Sequence, residues 1–122
     1  MSKNGLWYPG AVDPHRRAEL RSLAYHRAIA ARIAHDPAIV ERARARVATW
    51  QRTGQTHPEW TAVWARLLAQ PVGELCAAIV DESEAMTAAR QSSPFAGAIS
   101  ARDRWDLWRR VDELPPSRSM DR

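Results

Sequence analysis

Apolar residues recur at three- and four-residue spacing in five stretches of the chain, and nowhere alternate at the period-two rhythm of a strand. A first helix is expected over 14–35, with Leu20, Leu23, Ala24, Ala28 and Ala31 on one side and Tyr25, Ile29 and Ile33 on another. A helix apolar on two sides is wrapped by neighbours or by a partner. A second, over 37–53, carries the cleaner stripe Val40, Ala43, Val47, Trp50 and stops at Gly54. A third, over 58–69, shows Trp60, Val63, Trp64, Leu67 and Leu68, a face too wide to leave in water. A fourth starts at Val72, runs through Leu75, Cys76, Ile79 and Val80, and is expected to continue past Ser83 and Met86 as far as Gln91. The last begins at Ser100 and presents Trp105, Trp108 and Val111 as its apolar stripe.

The punctuation agrees with this division. Asp13-Pro14, Asp36-Pro37 and His57-Pro58 each place a polar residue before a proline, the combination that caps a helix and preorganises its first turn. Thr56 or His57 serves as the cap of the third helix, and Gln70-Pro71 is a weaker start of the same kind. Ser100-Ala101-Arg102-Asp103 reads as a capping box with Asp in the position usually held by Glu or Gln. The expected architecture is all-α: a compact single-domain bundle of about five helices over 13–114, with an extended arm at 1–12 and a frayed tail at 115–122.

Composition sharpens the class. The chain has 122 residues, enough for one domain with one core, and 45% apolar against 26% charged residues marks it as globular. Its single cysteine, Cys76, excludes an internal disulfide and reads as a buried thiol in a reducing interior. The sequence has no apolar run of membrane-spanning length and no h-region near its start, so a cytoplasmic location is expected. The net charge of +4 is unevenly spread: 14–53 holds nine Arg against three acids, whereas 54–91 holds two Arg against five.

Catalytic chemistry finds little support in the residues. No two of His15, His26, His35 and His57 share a helix face at the spacing of metal ligands, so no metal is expected. No glycine-rich phosphate loop is present, no cofactor is implied, and Ser92 and Ser93 read as turn formers rather than nucleophiles. His26 reads as a satisfied core or surface histidine, with interface duty as the alternative, and Asp81, Glu82 and Glu84 as a solvated acidic turn. A non-enzymatic protein is expected.

Two binding readings remain. Arg16, Arg17, Arg21, Arg42, Arg44 and Arg46 on the first two helices are candidates for phosphate contacts with nucleic acid, although those of the second helix spread around its circumference. Alternatively the six tryptophans, more than so small a core needs, point to a protein partner, because Trp and Arg dominate interface hot spots.

The strings RSLAYHRAIAARI, DPAIVERARARVATWQRTGQTHPEWTAVWARLL and RQSSPFAGAISARDRW carry a resemblance, clearest over 36–108. Their order of features is a DP-started arginine-rich helix ending in W-x-x-x-G, a Trp-bearing helix, an acidic helix with a serine, then R-x-S-S-P-F and R-x-R-W. This order resembles small all-helical bacterial antitoxin-like proteins encoded beside nucleotidyltransferase-fold toxins. The resemblance implies a protein that neutralises a toxin by direct contact, with Phe95, Trp105 and Trp108 as anchors and Arg90, Arg102 and Arg104 at the rim. The alternative is a DNA-binding regulator that acts on its own operon through the basic helices of 14–53.

Overall fold

The computed structural model describes residues 13–113; the arm at 1–12 and the tail at 115–122 lie outside the described residues. Six α-helices follow one another: α1 (Pro14–Ile33), α2 (Ala38–Thr53), α3 (Pro58–Leu68), α4 (Val72–Ile79), α5 (Glu84–Arg90) and α6 (Ala101–Asp112). Among the described residues there is no strand. No described helix is long and apolar enough to cross a membrane.

Helix α1 is the spine. Its Asp13 carboxylate accepts from the His15 N–H at 2.9 Å, and Pro14 fills the first turn. Leu23, His26, Ile29 and Ile33 form its buried stripe, and α2, α4, α5 and α6 all pack on it. Most of the two-sided apolar pattern is taken up within the fold, with Tyr25 and Ala28 half-buried against the same core, while Leu20 and Ala24 are half-buried and Ala31 is exposed.

Helix α2 buries its whole expected stripe plus Ile39, and closes at Gly54, whose φ of 71° is the left-handed conformation that glycine adopts without a Cβ clash. The expected cap at Asp36 does not form: Pro37 takes the cap position without a side-chain bond, and the Asp36 carboxylate pairs with Arg42 at 3.4 Å instead. The start is held by backbone bonds from Ile39 and Val40 to Asp36 and Pro37. In α3 the cap is His57, whose Nδ1 accepts from the Glu59 N–H at 3.1 Å. The far end of α3 is closed from outside, because Nε and Nη2 of Arg44 both donate to the Leu68 carbonyl, at 3.0 and 2.9 Å.

The long fourth helix expected over 72–91 is two helices, which raises the count from about five to six. The break is chemically stabilised on both sides. Ser83 Oγ accepts from the Met86 N–H at 3.2 Å and caps α5. From the other end of α5, Nη1 of Arg90 donates to the carbonyls of Ile79 and Asp81, at 3.2 and 2.7 Å, satisfying carbonyls that the end of α4 leaves without helical donors.

The core is built around Trp64, with no exposed surface, and Phe95, 1% exposed, whose rings meet edge to face at 5.8 Å. The Trp64 indole N–H donates to the Ala89 carbonyl at 3.0 Å, so its polar edge is satisfied in the interior. Cys76, half-buried, donates weakly to the Ala30 carbonyl, and burial raises its thiol pKa above the ordinary value.

Candidate functional site

The turn between α5 and α6 is anchored inward rather than displayed. Pro94, Phe95 and Ile99 are buried, and the Tyr25 hydroxyl donates to the Phe95 carbonyl at 2.7 Å. Ser93 Oγ accepts from the Phe95 N–H at 3.2 Å and lies 2.8 Å from His26 Nε2. His26 Nδ1 lies 2.7 Å from the Ser22 carbonyl. A carbonyl only accepts, so Nδ1 carries the proton and Nε2 receives the Ser93 hydroxyl proton. Burial, aided by the charge of Arg90, lowers the His26 pKa to about 4, against an opposing bond to Ser22, and this agrees with a neutral ring. A hydroxyl bonded to an imidazole is the geometry of an activated nucleophile. In the fold the bond also clamps the turn to the α1 spine.

Helix α6 lies antiparallel on α1. Arg32 near the end of α1 meets Asp103 near the start of α6 at 2.9 Å, while Arg21 meets Asp112 at 2.8 Å at the opposite end. The Asp103 carboxyl, hydrogen-bonded by Arg32, titrates below the usual carboxylate range. Half of the expected capping box is present: the Asp103 N–H donates to Ser100 Oγ at 3.1 Å, while the Asp103 side chain is engaged by Arg32.

The expected stripe Trp105–Trp108–Val111 is not the buried face. Val111 is buried and Leu107 and Trp108 are half-buried, but Trp105 is 59% exposed. Positions 105 and 111 stand about 120° apart around a helix, too far to share one narrow contact line. Trp105 therefore projects beside Trp108, the two rings edge to face at 6.3 Å. Arg102, about 60° around the helix from Trp105, is exposed with no acidic partner among the described residues, Arg110 is exposed on a different side, and Arg104 is half-buried with its Cζ 5.2 Å from the centre of the Trp108 ring.

The six residues assigned to a partner contact thus divide. Arg102, Arg104, Trp105 and Trp108 share α6, whereas Arg90 and Phe95, 5% and 1% exposed, are interior side chains and not part of that surface. The six assigned to nucleic acid fall on two helices and are largely engaged. Arg16 pairs with Glu19, Arg17 and Arg21 with Asp112, Arg42 with Asp36, and Arg44 with Glu41; only Arg46 has no such partner among the described residues.

Between α1, α6 and the turn lies an open cleft of about 680 Å³ whose lining includes Arg17, Arg21, Arg90, Arg104, Ser93 and Trp108. The sequence carries no local sign of it, because its α1 residues lie far along the chain from those of the turn and α6. The one legible clue was His26, whose place between Leu23 and Ile29 on the buried stripe marks it as interior. Among the described residues no cluster of three or more His, Cys, Asp or Glu is arranged to hold a metal. Comparison of the chain with protein-family models, with curated proteins and with solved structures finds no match.

Proposed function

We propose that the chain is a cytoplasmic, non-catalytic binding protein of the antitoxin type, which neutralises a nucleotidyltransferase-like toxin by covering it through α6. The observation that supports this reading most is Trp105. It is a large aromatic side chain, 59% exposed, with the exposed Arg102 one helical turn away and without an acidic partner among the described residues. A rigid aromatic beside a free guanidinium is the composition of an interface hot spot, since it brings large contact area at small entropic cost.

The division of labour on this reading differs from that implied by the resemblance. Trp105 is the anchor, Arg102 and Arg104 form the rim, and Trp108 supports Trp105 from its half-buried position. Phe95 and Arg90 contribute by holding the scaffold. The test is co-expression with the product of the neighbouring gene, reading both complex formation and rescue of growth. Rescue by the natural chain, lost in Trp105→Ala while the helical content is kept, supports the reading; rescue by both chains, or by neither, removes it.

A further inference from the structure

The cleft beside α6, which shares Arg104 and Trp108 with the proposed partner surface, has a chemical bias of its own. Arg17, Arg21, Arg90 and Arg104 line it, and none of its described lining residues is acidic. Asp112, at the end of α6, binds Arg21 through Nη2 and lies 3.7 Å from Nε of Arg17, so its one carboxylate is shared by two of the four guanidiniums, while Asp81, Glu82 and Glu19 lie near Arg90. The Nε atoms of Arg21, Arg90 and Arg104 are each shut off from solvent and without a hydrogen-bond partner among the described residues. Arg90, 5% exposed, also carries its charge into the interior, and burial lowers its pKa despite the nearby Asp81 and Glu82.

Buried donors without acceptors are uncommon, because each forfeits hydration without compensation. The enclosed Nε atoms cannot themselves reach a ligand in the open cleft, but Nη1 of Arg21 and both Nη atoms of Arg104 are neither hydrogen-bonded nor enclosed and can face an oxyanion. The guanidiniums of Arg21 and Arg104 both lie against the Trp108 ring, at 5.4 and 5.2 Å from its centre, so they are already ordered in place. Fixing them beforehand reduces the entropy lost when a ligand binds. A volume of about 680 Å³ lies within the range of small-molecule sites.

We propose that this cleft binds a phosphate monoester dianion, with Arg21 and Arg104 as its direct ligands and Arg17 and Arg90 supplying additional positive field. Phosphate is favoured over carboxylate because its two charges and three terminal oxygens match several separate guanidinium groups, whereas one carboxylate is met by a single bidentate arginine. The site shares Arg104 and Trp108 with the proposed partner surface, but its test uses small anions and no second protein, so the two readings fail separately.

The experiment is calorimetric titration of the full chain with AMP, inorganic phosphate, adenosine and succinate, with the Trp108 indole N–H followed by NMR. Saturable binding of AMP or phosphate at one site, with a shift of that resonance, is expected. AMP binding more tightly than phosphate identifies a nucleotide as the source, and equal affinities identify free phosphate. The Arg104 side chain makes no hydrogen bond or ion pair among the described residues, so Arg104→Ala retains the fold and weakens binding at least tenfold. Arg46→Ala, on the exposed face of α2, leaves binding unchanged. The proposal is overturned if neither phosphate-bearing probe binds, if adenosine matches AMP or succinate matches phosphate, or if Arg46→Ala weakens binding as much as Arg104→Ala.

Discussion

The Ser93 hydroxyl and the His26 imidazole, 67 positions apart in the chain, meet at 2.8 Å in the interior and fasten the α5–α6 turn to α1. In the neutral ring Nε2 accepts from the hydroxyl, and protonation would reverse the bond, so it is burial of the ring that disfavours its charge.

Stability should therefore depend on pH through His26. Its pKa is about 4 in the folded chain and near 6.5 when unfolded, so the unfolded state binds more protons between those values. The contribution is complete above pH 6.5 and is lost as pH falls toward 4, reaching at most about 3 kcal/mol. Denaturant titrations between pH 7 and 4 measure it. His26→Gln should lower stability at pH 7 and flatten the slope in that window; an unchanged slope would show that other groups produce it.

Phe95 and Trp105 should differ sharply as sites of truncation. Phe95→Ala opens a cavity against Trp64 and should cost about 3–5 kcal/mol in urea unfolding. Trp105→Ala removes a mostly exposed ring and should stay within about 0.5 kcal/mol of the natural chain. Equal losses would mean that Trp105 is packed in solution.

Arg44 should matter more than Arg46, two positions away. Arg44→Ala removes both bonds to the Leu68 carbonyl and should cost about 1 kcal/mol. Arg44→Lys, with a single ammonium in place of the fork, should recover part of that loss. Arg46→Ala should be nearly neutral in the same thermal melts.

Ser83→Ala should cost about 1 kcal/mol by removing the cap of α5, a helix of seven residues. Amide exchange should accelerate chiefly at 84–87. Uniform acceleration across α3 and α4 would place the effect elsewhere.

Most helix boundaries were legible because they rest on local chemistry: Asp13 and Ser100 cap from their own side chains, and Gly54 closes α2 by its positive φ. The break between α4 and α5 was not, since apolar spacing runs on from Ile79 to Met86 and the residue that secures the gap, Arg90, reaches it from the end of α5. The candidate site divides in the same way. Trp105 and Trp108 stood out as residues, but which of them faced outward depended on how α6 rolls on α1, set by Arg32–Asp103 and Arg21–Asp112 across 71 and 91 positions. Phe95 in the string SSPF looks like a surface motif and is core because Tyr25 and Ser93 draw the turn inward.

The central claim is that the exposed Trp105 face of α6 is where a protein partner binds. Its most direct measurement is the dissociation constant of the natural chain and of Trp105→Ala for the neighbouring gene product, with folding of both verified by circular dichroism. Binding weakened at least tenfold by loss of the ring is the predicted result; an unchanged constant, or no complex at all, would contradict it.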